Sequence, residues 1–189
     1  MPIRFATPKD SAALLRIYAQ YIETPVTFEY VLPSEREFAT RIADISSFYP
    51  YLVHEADGNI TGYAYAHRHM ERTAYQWNAE LSVYLDQSAT SRGLGKTLYR
   101  VLMEMLVLQR VRTVYGCVTL PNAGSEGLHA SLGFRLLGVY RNAGYKDGRW
   151  HDVGWFEKQI APYGPDPEPI MPLSAVPPQR LREILAGAG

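Results

Sequence analysis

Apolar and polar positions alternate with different periods along the chain, and each change of period marks an element. Ile3 to Phe5 reads as a short first strand. Thr7 before Pro8 is a helix N-cap followed by proline at the first helical position. Leu14, Leu15, Ile17, Tyr18 and Tyr21 then supply one apolar face, which Pro25 ends. Ser34 and Glu37 form a capping-box pattern that starts a second helix through about Asp44. After Pro50 the pattern changes. Tyr51 to Glu55 predicts a strand, Asp57-Gly58 a tight turn, Ile60 to His67 the hairpin partner, and Ala79 to Leu85 a third strand.

The loop from Asp86 to Gly95 leads into a long helix from about Leu94 to Gln109. Its residues Leu94, Leu98, Val101, Leu102, Met105 and Leu108 recur at helical spacing and pack one stripe on the sheet. Val111 to Thr119 is a further strand, broken by Pro121-Asn122; a short helix follows to about Leu132 and stops at Gly133. Phe134 to Tyr140 and Trp150 to Ile160 are the last two strands. The order is strand, two helices, hairpin, strand, helix, strand, helix, two strands: a mixed α/β fold in a single domain over residues 1–160. From Ala161 prolines dominate, so residues 161–189 are expected as an extended extension lying on the surface or on a partner, with one or two helical turns at Gln179 to Leu185.

Composition narrows the function. The 189 residues suffice for one domain with a proper core, and 47% hydrophobic with 20% charged residues excludes wholesale disorder. Lys plus Arg and Asp plus Glu both count 19, so no net field gathers nucleic acid or an anionic membrane. Arg4, Pro8, Lys9 and Asp10 break any signal-peptide core, and no apolar run approaches the roughly 20 residues of a membrane helix. The lone Cys117 fits a reducing, cytoplasmic setting and is expected as an inert buried thiol. His67 and His69 alternate on a strand, but no Cys or third carboxylate stands at ligand spacing, so no metal is expected.

The glycine-rich turn carries the chemistry. Ser91-Arg92-Gly93-Leu94-Gly95-Lys96 lies between a strand and an amphipathic helix, where glycines let backbone N–H groups converge and the helix start and two basic side chains add positive charge. Such a turn suits a pyrophosphate. It is neither a phosphate-binding ATPase loop, because Thr90 rather than glycine stands five residues before Gly95, nor a dinucleotide fingerprint, because Leu98 holds the third glycine position.

This turn, its preceding strand and the Asn122 to Phe134 segment resemble the GNAT superfamily of acetyl-CoA-dependent acetyltransferases. The pattern Gln/Arg-x-x-Gly-x-Gly/Ala aligns with Thr90 to Gly95, and Thr90 departs from it by lacking the usual long polar side chain. Gly62 to Ala66, Arg72, Tyr75, Trp77, Ala79 to Tyr84, Leu120 to Asn122, Leu128 to Phe134 and Gly144 to Gly154 narrow the resemblance to the phosphinothricin N-acetyltransferase family. The resemblance implies that the backbone of Val83, Tyr84 and Leu85 pairs with the pantetheine arm of acetyl-CoA. It further implies that Ser91, Arg92, Gly93, Leu94, Gly95 and Lys96 hold the pyrophosphate and that Asn122 and Ser125 meet the cofactor near its pantetheine. Phe28, Glu29, Arg72, Tyr75, Lys146 and His151 become candidates for an acceptor pocket, and a homodimer is the implied assembly.

Acetyl transfer to an amine needs a neutral nitrogen, whereas an α-amine of pKa about 8 is mostly protonated near neutral pH. A positioned base therefore contributes directly. Glu80, between Ala79 and Leu81 on the cofactor-facing strand, is the candidate, directly or through a water; the alternative is a structural carboxylate paired to a neighbouring arginine or simply solvated. His129, where many superfamily members carry a tyrosine acid, is the second candidate. The two would divide base and acid roles, in an order the sequence leaves open. The expected activity is acetylation of a small amino-acid-like amine such as phosphinothricin or methionine sulfoximine. A non-catalytic acyl-CoA sensor and an acetyltransferase of protein N-termini are the alternatives.

Overall fold

Residues 3–188 are described by a computed structural model in which seven strands form one sheet in the order β1-β2-β3-β4-β5-β7-β6. The strands are β1 (Ile3–Phe5), β2 (Tyr51–Ala56), β3 (Asn59–Arg68), β4 (Asn78–Leu85), β5 (Thr113–Leu120), β6 (Arg135–Lys146) and β7 (Arg149–Gln159). Five helices accompany them: α1 (Ser11–Ile22), α2 (Glu35–Ser46), α3 (Leu94–Leu108), α4 (Ala123–Ser131) and α5 (Pro178–Gly187). Neighbouring strands are antiparallel except β4 and β5, which run parallel. Among the described residues no helix is long and apolar enough to cross a membrane.

Strand alternation divides the core between the two faces. Tyr51, Val53 and Tyr63 point toward α1 and α2, where Leu14, Ile17, Phe38 and Ile42 pack on them. Their neighbours Leu52, Ala64 and Ala66 face the other way, with Ala79 and Leu81 of β4, and meet α3. Leu98, Leu102, Met105 and Leu106 of α3 are fully buried there, each worth about 1.5–3 kcal/mol of hydrophobic stabilisation. Local signals set the element ends. The Ser34 hydroxyl accepts from the Glu37 amide at 3.3 Å while the Glu37 carboxylate accepts from the Ser34 amide at 2.7 Å, so the capping box is formed. Asp57 and Gly58 both hold positive φ (51° and 75°), as a tight hairpin between right-twisted strands requires.

Two expectations of extent are corrected. β6 does not stop at Tyr140: it continues to Lys146 and closes on β7 through Asp147-Gly148, with a register shift between Tyr140 and Gly144. The polar run Arg141-Asn142 conceals this strand because Asp152 of β7 accepts from the Arg141 guanidinium at 2.6 Å and from the Asn142 amide at 2.9 Å. The proline-rich extension lies on the chain's own surface and ends in a full helix, α5. Trp77 donates to the Glu168 carbonyl (2.9 Å), and buried Gln109 donates to the Phe48 and Met171 carbonyls (2.8 and 2.9 Å). Val176 and Leu181 join the α3 core.

Candidate active site

The strand pair β4–β5 opens. Each strand has eight residues, yet they pair only from Asn78–Thr113 to Glu80–Tyr115. Beyond Glu80 the β5-facing edge of β4 carries no ladder, while β3 follows β4 to Leu85 on the other side. Side chains take over at both ends of the free edge: the Tyr99 hydroxyl of α3 donates to the Leu81 carbonyl at 3.2 Å, and Tyr21 of α1 to the Leu85 carbonyl at 2.6 Å. The result is a stretch of extended backbone with no strand partner on its β5 side, suited to accept one.

A groove of about 500 Å³ continues from this edge. Val83, Leu85, Leu94 and Leu128 supply apolar walls, and Thr90, Ser91, Lys96, Asn122 and Ser125 a polar rim. Two helix starts converge on it. Gly93, at φ 81°, is the N-cap of α3 and leaves the first-turn amides without a side-chain cap, and Ser91 (φ 61°) adds a second left-handed turn. Asn122 caps α4 by accepting from the Ser125 amide at 3.0 Å. The free first-turn amides of α3, the dipoles of both helices and the cations Arg92 and Lys96 suit a diphosphate. The open β4 edge suits an extended amide-bearing arm. Coenzyme A has both parts, and the residues present fit it.

Glu80 stands at the closed end of the opening, about 17 Å along the strand from Leu85 at 3.3–3.4 Å per residue. Its side chain is 18% exposed. One carboxylate oxygen lies 3.9 Å from His67 Nε2 and the other 3.5 Å from His69 Nδ1. Those imidazoles are its partners at ion-pair distance among the described residues, so the arginine pairing considered for Glu80 is not formed. Burial, with a contribution from the Glu80 charge, raises the Tyr65 and Tyr99 hydroxyls above their ordinary values. Cys117 on β5 is exposed rather than buried; desolvation by the protein around its sulfur and the Glu80 charge push its pKa up to about 12, so it is no nucleophile near neutral pH.

His129 is 2% exposed, walled by Tyr99, Phe134 and Phe156. Its Nδ1 lies 2.7 Å from the Ser125 carbonyl, which can only accept, so the proton is on Nδ1. Burial lowers its pKa despite that bond, leaving a neutral ring whose Nε2 lone pair packs against Gly116 without a partner.

Residues 3–155 match the family described as "Acetyltransferase (GNAT) domain". The chain belongs to the GNAT acetyltransferase family. It is 37% identical over 175 residues to the phosphinothricin N-acetyltransferase of Streptomyces viridochromogenes, covering 92% of this chain and 95% of the relative. It is 29% identical over 162 residues to the L-methionine sulfoximine/L-methionine sulfone acetyltransferase of Salmonella typhimurium, covering 85% and 95%. The crystal structure of a phosphinothricin acetyltransferase from Sinorhizobium meliloti in complex with AcCoA superposes with a TM-score of 0.80 at 34% identity, covering 83% of this chain and 86% of that one.

In this acetyltransferase the residues expected at the cofactor come together. Val83, Leu85, Ser91, Gly93, Leu94, Gly95, Lys96, Asn122 and Ser125 all line the groove. Tyr84 turns its ring to the opposite face, against Tyr18, Tyr21 and Tyr63, and Arg92 is exposed beside the turn. Thr90 lines the groove too, its hydroxyl donating to the Gln87 carbonyl at 2.9 Å.

The acceptor candidates divide. Glu29 pairs with Arg41 of α2 at 2.7 Å, and both charges act on Tyr65, which also feels Glu80. Arg41 and Tyr65 were not singled out from sequence: Arg41 reads as a solvated helix face and Tyr65 as a strand core residue. Arg72 and Tyr75 are exposed on the β3–β4 connection. Lys146 is corrected. It is buried, and its ammonium donates to the carbonyls of Ile22, Thr24, Thr27 and Glu29 at 2.6–2.9 Å, which leaves no donor for a substrate. Buried His151 donates from Nε2 to the Lys146 carbonyl at 3.1 Å and packs beside Phe28. Together they hold the segment that carries Phe28 and Glu29.

Proposed function

We propose that this acetyltransferase moves the acetyl group of acetyl-CoA onto the primary amine of a small amino-acid-like acceptor, of the phosphinothricin or methionine sulfoximine type, with Glu80 as the base. The observation that carries the reading is the position of Glu80 at the closed end of the β4–β5 opening, on the strand whose Val83 and Leu85 line the groove that suits coenzyme A. Bound acetyl-CoA supplies an acetyl thioester. The turn from Ser91 to Lys96 would hold its diphosphate, and free main-chain N–H groups of β4 would polarise the carbonyl as an oxyanion hole does. Glu80 accepts a proton from the acceptor's ammonium, directly or through one water, and so frees the nitrogen lone pair for attack.

Of the two groups expected to share base and acid roles, the neutral His129 with its proton on Nδ1 has none to give at Nε2, and that nitrogen is buried against Gly116 where it meets no acceptor amine, so we assign it to positioning α4 against β5. Glu29, Arg72, Tyr75 and Phe28 are proposed around the acceptor; an arginine suits a carboxylate or phosphinate through its paired donors. A homodimer is proposed through β6, an edge strand exposing Leu136, Leu137 and Tyr140, with Trp150 beside it on β7. A lone cysteine is in keeping with a cytoplasmic setting.

The test is a thiol-release screen with acetyl-CoA over amino acids, their phosphinate and sulfoximine analogues, polyamines and N-terminal peptides. Release that depends on the analogues is expected. Coenzyme A binding without release for any amine would instead identify a sensor, and acetylated peptides alone would redirect the reading to protein N-termini.

A further inference from the structure

Three side chains from the β3–β4 hairpin meet where no cation balances a carboxylate. His67 and Glu80 are directly opposite in the antiparallel register, so they share a face of the sheet. Arg and Lys are absent from ion-pair distance of Glu80 among the described residues. Other titratable groups facing it are Tyr65 of β3, Tyr99 of α3, and Tyr115 and Cys117 of β5; burial raises all four above their ordinary values, so they stay uncharged at neutral pH. The two imidazoles are the nitrogen bases within 4 Å of the carboxylate among the described residues.

Their geometry differs in a way that assigns roles. The Nδ1 of His67 lies 3.0 Å from the Arg68 carbonyl, an obligate acceptor, so it carries the proton. In the neutral ring Nε2 is then a bare lone pair aimed at Glu80 Oε1 across 3.9 Å, a distance one proton and a small closure, or one water, would bridge. This imidazole is about a third exposed and has access to bulk water. His69 is only 10% exposed. Its ring is stacked on Tyr115 at 4.2 Å with Trp155 edge-on at 5.3 Å, and its buried Nδ1 has no hydrogen-bond partner while facing Glu80 Oε2 at 3.5 Å. A buried nitrogen left unpaired is costly, and the carboxylate is the group placed to relieve it.

We propose that His67 and His69 are positioning residues for Glu80, His69 holding one carboxylate oxygen and His67 carrying the proton from the other to solvent. The inference rests on Glu80 being the base. The proton leaves the acceptor's ammonium as an O–H bond forms at Glu80 Oε1. That bond then breaks as N–H forms at His67 Nε2, and the imidazolium releases the proton to water. Glu80 returns to its carboxylate for the next turnover.

The test uses the full chain with acetyl-CoA and L-methionine sulfoximine, comparing kcat, both KM values and the pH profile in H67A, H67Q, H69F and H69N. H67A and H67Q are each expected to lose about tenfold or more in kcat, at the low end of general acid–base contributions, with KM for acetyl-CoA unchanged. Added imidazole is expected to restore part of the H67A rate, and the acid limb of its kcat profile to change. H69F keeps the ring stack and is expected to lose kcat, whereas H69N, whose amide reproduces the Nδ1 donor, is expected to recover most of it. Wild-type kcat and pH profile in H67A and H69F would overturn the relay while leaving the enzyme reading intact. Absence of turnover by the wild type over the whole amine panel would instead remove the base role of Glu80, and the relay with it.

Discussion

The imidazole of His129 fills the space that a side chain at Gly116 would need. A β-carbon built on Gly116 lies 2.8 Å from His129 Cδ2 and closer still to Nε2. The ring cannot retreat, because Ser125, Phe134 and Phe156 fix it from behind. Gly116→Ala is therefore expected to destabilise the fold by roughly 1–3 kcal/mol through overpacking, read as a lower Tm. In combination with His129→Ala the loss should be smaller than the sum of the two single losses, because the clash and the ring are removed together.

The same burial makes His129 a source of acid sensitivity. Its pKa is lowered in the folded state by desolvation, from an unfolded value of about 6.5. The unfolded chain then binds more protons, so this contribution is complete above pH of about 6.5 and is lost as pH falls through the lowered folded value. Tm measured against pH should fall over that window, and His129→Phe should make the slope shallower. His54, lowered for the same reason, accounts for slope that remains.

Lys146 fastens the segment that carries Phe28 and Glu29. Replacing it with methionine leaves four carbonyls unpaired around the former ammonium, a loss of about 3 kcal/mol or more in denaturant unfolding. The segment bearing Phe28 and Glu29 should loosen. The expected kinetic result is a raised KM for the acceptor amine with coenzyme A affinity unchanged.

Glu80→Gln separates chemistry from binding. A loss of at least about 100-fold in kcat is expected for a general base, with calorimetric coenzyme A affinity at the wild-type value. Equal kcat in the variant would reject Glu80 as the base.

The double substitution Arg92→Ala/Lys96→Ala should do the reverse. Coenzyme A binding should weaken and lose much of its salt dependence, because the cations at the start of α3 are removed while its amides remain. An unchanged affinity would count against the diphosphate site.

Much of the fold was legible from near neighbours in the chain. Period, caps and turns are local, so the Ser34–Glu37 capping box, the Asp57-Gly58 turn and the stripe on α3 formed as read. The Ser91 to Lys96 part of the groove was legible too, because a strand, a glycine turn and a helix in sequence bring their own amides together, whereas Val83, Leu85, Asn122 and Ser125 entered only through the resemblance. The end of β6 was hidden because its polar residues are satisfied by Asp152, a partner across the hairpin.

The amino-acid order alone determined which elements form and which turn gathers glycines, a helix start and two basic residues, since both depend on contacts a few residues apart. Only the tertiary structure decided that β4 and β5 part after Glu80, that Lys146 is spent on four carbonyls, and that His67 and His69 flank Glu80. Each of these is a matter of which polar group finds which partner, and the partners come from distant parts of the chain or across strand registers that local pattern does not encode.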